Sequence, residues 1–109
     1  MTTPLPSTIP HTEPKTTTHR HPLYAVVLHN DDINTMEYVV AVLRKVFGYP
    51  WSQCVSLMLE AHRKGRSKVW IGPLEVAEWK AEQVRNCGPD PEQVHRGAQA
   101  LMVTVEPVV

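Results

Sequence analysis

The chain has 109 residues, of which 42% are hydrophobic and 20% are charged, so it is long enough for one small globular domain with a modest core. Eleven basic residues balance eleven acidic ones, which argues against binding to a nucleic-acid backbone. The apolar runs reach only about five residues, against the roughly 20 that a membrane span needs. No secretory signal is visible at the start of the chain. We therefore expect a soluble cytoplasmic protein without nucleic-acid or membrane partners.

The first 22 residues differ in composition from the rest of the chain. They are rich in proline and threonine and have few bulky apolar side chains. Such a segment cannot bury enough surface to offset the entropy of ordering it. We predict a flexible tail at residues 1–22 and one folded domain at residues 23–109.

Apolar patterning in the predicted domain indicates three strands and three helices in the order βααβαβ. The predicted strands are Tyr24–Asn30, Lys68–Ile71 and Leu101–Glu106, and the predicted helices begin near Thr35, Ser52 and Leu74. The segment between the last helix and the last strand contains glycine and proline and is predicted to be a loop. Because the order lacks a regular βαβ alternation, we predict an α+β fold with a small antiparallel sheet packed against three helices.

Cap residues and the spacing of apolar residues indicate where these helices begin and end and which face is apolar. Asn34, followed three residues later by Glu37, resembles a capping box for the first helix. Ser52 is predicted to cap the second helix, which Gly65 ends. The predicted apolar face of the second helix consists of Val55, Met58, Leu59 and His62.

The stretch from His29 to Met36, HNDDINTM, is the strongest candidate for a functional site. It places Asn30, Asp31 and Asp32 where an apolar strand ends and an amphipathic helix begins. This cluster of acceptors suits an ammonium group or a metal ion. The same aspartates could instead be turn formers whose side chains bond nearby backbone, and His62 could be a core histidine.

Four segments together resemble the ClpS family, bacterial adaptors that deliver substrates with N-terminal degradation signals to the ClpA or ClpC unfoldase. The segments are HNDDINTMEYVVAVLRKVFG, LMLEAHRKGR, LEVAEWKAEQV and LMVTVE. The resemblance covers about residues 23–106. It implies a non-enzymatic adaptor without a cofactor, whose partners are the unfoldase and the free N-terminal Leu, Phe, Tyr or Trp of a substrate protein. A monomer is the simplest expectation.

The resemblance also implies which residues bind. The substrate's α-amino group would be held by Asn30, Asp31, Asp32 and His62. The apolar pocket and the contacts to the peptide backbone would come from Ile33, Asn34, Met36, Val39, Met58, Ala61 and either Leu101 or Met102. Met36 would act as a gate that crowds β-branched side chains. Glu75 and Lys80 would contact the unfoldase, although a solvated helix face explains them as well.

Two alternatives remain at this stage. The chain could be a ClpS-like binding module that does not deliver its ligand, because Gly72 and Pro73 stand where the family usually has a threonine. It could also be a metal-dependent hydrolase with His29, Asp31, Asp32 and His62 as ligands. The second alternative lacks an obvious general base beyond those ligands.

Overall fold

The computed structural model describes residues 22–108, which form three strands, three α-helices and one 3-10 helix. The elements are β1 Leu23–His29, α1 Met36–Phe47, α2 Trp51–Lys64, β2 Arg66–Pro73, α3 Leu74–Asn86, the 3-10 helix Pro91–Arg96 and β3 Val103–Pro107. The predicted α+β class and the order βααβαβ are confirmed. The 3-10 helix occupies part of the predicted loop. Within residues 22–108, no helix has the length and apolar character to cross a membrane.

The sheet is antiparallel and has the order β2-β1-β3, so β1 is its central strand. Val26 of β1 lies opposite Trp70 on one side and Val105 on the other. The register of β2 shifts by one residue between Val26 and Val27, which leaves Val69 as the extra residue of a bulge. Because of the bulge, Val69 and Trp70 both pack with the core, although they are adjacent in the chain.

The main core lies between one face of the sheet and the three helices. β1 contributes Val26 and Leu28, and the helices contribute Val39, Val40, Leu43, Cys54, Met58, Ala61, Ala77, Ala81 and Val84. All of these side chains are buried. Ala77, Ala81 and Val84 form the buried face of α3. Leu74, at the first position of α3, is 38% exposed.

The first helix begins one residue later than the capping-box pattern predicts. Thr35, not Asn34, is the N-cap, and its hydroxyl oxygen accepts a hydrogen bond from the backbone N–H of Tyr38 at 3.1 Å. The helix ends at Gly48, which adopts φ 72° and donates its backbone N–H to the carbonyl oxygen of Arg44. Asn34 is therefore free to make contacts outside the helix.

The second helix also differs from its predicted start and face. It begins at Trp51 after Pro50, and Ser52 is exposed and does not cap it. Its buried residues are Cys54, Met58 and Ala61. His62 is exposed in the last turn, so it does not belong to the buried stripe. Gly65 ends the helix as predicted, with φ 90° and its N–H bonded to the carbonyl oxygen of Ala61.

Candidate functional site

A loop of six residues, 30–35, joins the end of β1 to α1 and is organised by Asp31. One carboxylate oxygen of Asp31 accepts from the backbone N–H groups of Ile33 and Asn34, each at 2.8 Å. The other oxygen accepts from the side-chain amide of Asn34 at 2.6 Å. Asp31 is thus a turn former, the alternative that the sequence left open for it. It also lines the cleft described below.

Asn34 is buried and ties this loop to the segment before β3. Its amide group donates to Asp31 and to the carbonyl oxygen of Gln99 at 2.8 Å, and its carboxamide oxygen accepts from the backbone N–H of Asp90 at 2.8 Å. Both amide hydrogens have partners inside the protein. These contacts occupy both donors of the Asn34 amide, so the predicted bond from Asn34 to a peptide backbone stays a prediction and would have to use its carboxamide oxygen.

Asp90 extends the same network to the start of α1. Its carboxylate accepts from the backbone N–H of Glu92 at 3.0 Å and from the hydroxyl of Thr35 at 2.8 Å. The hydrogen bond from Glu92, followed by those from Thr35, lowers the pKa of Asp90 below its usual range. The N-cap of α1 and the start of the 3-10 helix are thus joined by one carboxylate. Asp90 is not among the predicted site residues, although its position directly before Pro91 is typical of a helix cap.

Three polar side chains lie at the junction of the loop and α2. The backbone N–H of Asn30 donates to the carbonyl oxygen of Gly65 at 3.0 Å, which holds the end of β1 against the end of α2. The Asn30 side chain donates to Asp32 at 3.2 Å. His62 is exposed three residues before Gly65 and lines the same cleft as Asn30. The Asn30 carboxamide oxygen and the His62 ring nitrogens make no hydrogen bond to another residue of 22–108, so they can accept one from a ligand.

The cleft below these groups has apolar walls from β1, α1 and α2. Leu28, Val39, Met58 and Ala61 are buried wall residues, and Met36 is 44% exposed at the opening. The cavity measures about 20 Å³, which is room for about one water molecule. A larger apolar group can enter only if a wall moves. Met36 is the wall residue with the most exposure and a flexible side chain.

The structure brings most of the predicted site residues to this one cleft. Those that line it are Asn30, Asp31, Asn34, Met36, Val39, Met58, Ala61 and His62. Asp32 does not line the cleft but is hydrogen-bonded to Asn30, which does. Ile33 does not line it either, although its backbone N–H helps to close the loop.

Leu101 or Met102 was predicted to contribute to the pocket, and neither is among the residues that line the cleft in this structure, so that contribution stays a prediction. β3 begins at Val103, so both residues precede it. Leu101 is 1% exposed and belongs to the core, whereas Met102 is 62% exposed. Met102 contributes only its carbonyl oxygen, which accepts from the backbone N–H of His29 at 3.0 Å. Val103, two residues after Leu101, is also buried.

Leu28 and His29 line the cleft but were not predicted to form its wall. Their position at the end of β1, directly before the acidic loop, is the feature of the sequence that could have identified them as wall residues. His29 is positioned by a hydrogen bond between its Nε2 and the Thr104 hydroxyl at 2.8 Å, and Thr104 donates to Glu106 at 3.0 Å. Hydrogen bonds from Arg66, and next from Thr104, lower the pKa of Glu106. This chain of bonds crosses all three strands and fixes the His29 ring.

The remaining predicted residues lie elsewhere or do not converge. No three His, Cys, Asp or Glu side chains of residues 22–108 come close enough together to hold a metal ion, so the alternative ligand set is not assembled. Glu75 is exposed in the first turn of α3. Lys80, on the same helix, donates to the carbonyl oxygen of Val46 at 3.3 Å and lies over the Phe47 ring.

Comparison with known proteins assigns the family. The family model described as "ATP-dependent Clp protease adaptor protein ClpS" matches residues 19–93. An ATP-dependent Clp protease adapter protein ClpS from Roseobacter denitrificans is 47% identical over 73 residues, which are 67% of this chain and 63% of that protein. One from a Synechococcus species is 46% identical over 79 residues, which are 70% of this chain and 87% of that protein.

A solved structure gives the same result. The structure of Agrobacterium tumefaciens ClpS2 bound to L-phenylalaninamide superimposes with a TM-score of 0.70 and 34% sequence identity, covering 82% of this chain and all of that one. At this identity the similarity extends beyond the fold. Together with the family match, it shows that the chain belongs to the ClpS family of ATP-dependent Clp protease adaptors.

Proposed function

We propose that this chain binds the free N-terminal Leu, Phe, Tyr or Trp of substrate proteins and delivers them to a Clp unfoldase. The observation that carries the proposal is the cleft, which combines uncommitted acceptors at its mouth with apolar walls below them. Such a site fits a group that is charged at one end and apolar at the other. The first residue of a protein has this character when its side chain is apolar.

The charged end is the substrate's α-amino group. Its pKa is about 7.7–8.0, so near neutral pH it is mostly an ammonium with three donors. Asn30, Asp32 and His62 would supply the acceptors. A carboxylate has about four acceptor positions, and Asp31 uses three of them within the loop. Asp31 would therefore act mainly through its negative charge.

The apolar end enters between Met36, Val39, Met58 and Ala61. Because the cavity holds about one water molecule, we expect the Met36 side chain at its opening to swing aside when a leucine or an aromatic ring enters. Burying such a side chain contributes roughly 1.5–3 kcal/mol. Together with the charged hydrogen bonds, and after the cost of association, this corresponds to binding on the order of micromolar.

The related ClpS2 structure supports the assignment. Its ligand, L-phenylalaninamide, combines a free α-amino group with a phenyl side chain. An adaptor also needs a second surface for the protease machine. We propose that Glu75 and Lys80 on α3 contact the N-terminal domain of ClpA or ClpC, and that the chain works in the cytoplasm as a monomer.

A pair of peptides tests the binding step. A peptide that starts with Phe and carries a fluorophore at its far end should bind in an anisotropy titration, whereas the same peptide acetylated at its N-terminus should lose at least about 2 kcal/mol. Asp32→Ala and His62→Ala should each weaken binding while the domain stays folded. Arg63→Ala, which changes an exposed neighbour of His62, is the matched control and should bind normally. Equal binding of the free and acetylated peptides would contradict the proposal.

Delivery is tested separately from binding. The N-terminal domains of ClpA and ClpC are titrated with the full chain, and we expect saturable binding to one of them. Glu75→Lys should weaken that binding and leave peptide affinity unchanged, because Glu75 is outside the cleft. If peptides bind but neither domain does, the chain is a binding module that does not deliver.

A further inference from the structure

A second, open groove lies beside the cleft, on the outer surface of α1 and α2. It measures about 270 Å³ and is lined by Met36, Glu37, Val40, Trp51, Val55 and Met58. We call it the Trp51 groove. Trp51 is 61% exposed, although tryptophan is among the largest apolar side chains. A rigid aromatic side chain left uncovered on a groove wall is typical of the residues that dominate binding interfaces.

The Trp51 groove is continuous with the cleft. Met36 and Met58 line both of them, so the proposed gate lies between the small cleft and the larger open groove. A peptide whose first side chain occupies the cleft, and which continues past Met36, meets the groove that Met36 also lines. The groove is therefore placed to meet the residues that follow.

The spacing of an extended peptide selects one of those residues. Successive side chains point to opposite faces, and side chains on the same face are about 7 Å apart. If the first side chain points into the cleft, the third points toward the same surface of the adaptor, whereas the second points away from it. The third side chain is thus the one that can enter a neighbouring groove.

The lining of the groove defines the chemistry of its occupant. Val40 is buried and Val55 is half-buried, so the groove offers apolar contact next to the indole of Trp51. Among the residues of 22–108 that line the groove, Glu37 alone is charged, and Arg44 and Lys45 line a neighbouring basin with it. A mainly apolar patch with charged groups beside it is typical of a binding interface.

We propose that the Trp51 groove binds an apolar side chain at the third position of the substrate. The adaptor would then recognise two residues of the substrate, binding the first in the cleft and the third in the groove. This inference rests on the proposed function. It adds a selection among substrates that share the same first residue.

Three peptides with free N-termini test it. They begin Phe-Ser-Ser, Phe-Ser-Leu and Phe-Leu-Ser and are otherwise identical. Leucine at the third position should raise affinity about tenfold over serine, whereas leucine at the second position should change it little. Trp51→Ala should abolish the gain and leave the affinity for Phe-Ser-Ser unchanged. Trp79→Ala, which removes another exposed tryptophan on α3, is the control and should preserve the gain.

The outcomes separate the two proposals. Equal affinities of the three peptides, a gain from the second position alone, or a gain that survives Trp51→Ala would overturn the groove inference. If binding still requires the free amino group in those cases, the proposed function stands. If acetylation has no effect on any of the peptides, both proposals fail together.

Discussion

Replacing Asn34 with alanine should destabilise the domain, because this side chain joins three parts of the chain around the cleft. It donates to the Asp31 carboxylate and to the Gln99 carbonyl oxygen, and it accepts from the backbone N–H of Asp90. A neutral hydrogen bond contributes about 0.5–1.5 kcal/mol and one to a charged group about 1.5–3 kcal/mol. In the variant, water can hydrogen-bond to the Asp31 carboxylate in place of Asn34. The free-energy contributions of hydrogen bonds within one network are also not additive. We expect a loss of about 3 kcal/mol in the free energy of unfolding.

Urea denaturation measures this loss. The variant should have a lower midpoint and an unchanged slope. Gln99→Ala is the control, because only the backbone carbonyl of Gln99 takes part, and it should shift stability by no more than about 0.5 kcal/mol. The alternative role of Asn34, bonding a bound peptide, predicts a different pattern. A stability loss below about 1 kcal/mol, combined with clearly weaker peptide binding, would refute the reasoning.

The other predictions concern acid stability, a helix end and a glycine under an aromatic ring. Hydrogen bonding from Glu92 lowers the pKa of Asp90 below its ordinary 3.8, so the stability it contributes is present above that value and is lost as pH falls through the lowered pKa. In Asp90→Asn the free energy of unfolding should therefore fall less as the pH is lowered into the acid range. An unchanged dependence on pH would contradict the claim that Asp90 contributes this stability. Gly65→Ala, at φ 90°, should cost about 1–2 kcal/mol in thermal or urea unfolding. In Gly72→Ala the added methyl would overlap the Trp70 ring, so stability should fall by about 1–3 kcal/mol and the tryptophan emission should shift; unaltered emission would count against this packing.

The parts of the fold set by local pattern could be predicted from the sequence. The apolar run of β1, the periodicity of α1 and the glycine after α2 each depend on neighbours within a few residues, and each prediction was close. The loop after β1 was identified for the same reason. Its two aspartates, an amide and the helix that follows are consecutive in the chain.

The parts of the fold that are set by long-range hydrogen bonds could not be predicted from the sequence. The Asn34 side chain pairs with the backbone of Asp90 from 56 residues away, so local pattern favoured a cap that Thr35 provides instead. His62 fits a helical apolar stripe by spacing, yet the buried face of α2 is rotated toward Cys54 and Ala61. Only the packing of α2 against the sheet decides between the two faces.

The central position of β1 has a consequence for selectivity. β1 is hydrogen-bonded along both edges, and its end is tied to α2 through Asn30, so the wall that would face a ligand's amino group is already in place. Met36 is exposed, and under the proposed function its side chain would be rearranged for each ligand. The conformational entropy lost on binding would therefore be lost mainly at Met36, the wall residue that contacts the side chain of the ligand. Such a cleft should be strict about the position of a positive charge and more lenient about which of Leu, Phe, Tyr and Trp supplies the apolar group beside it.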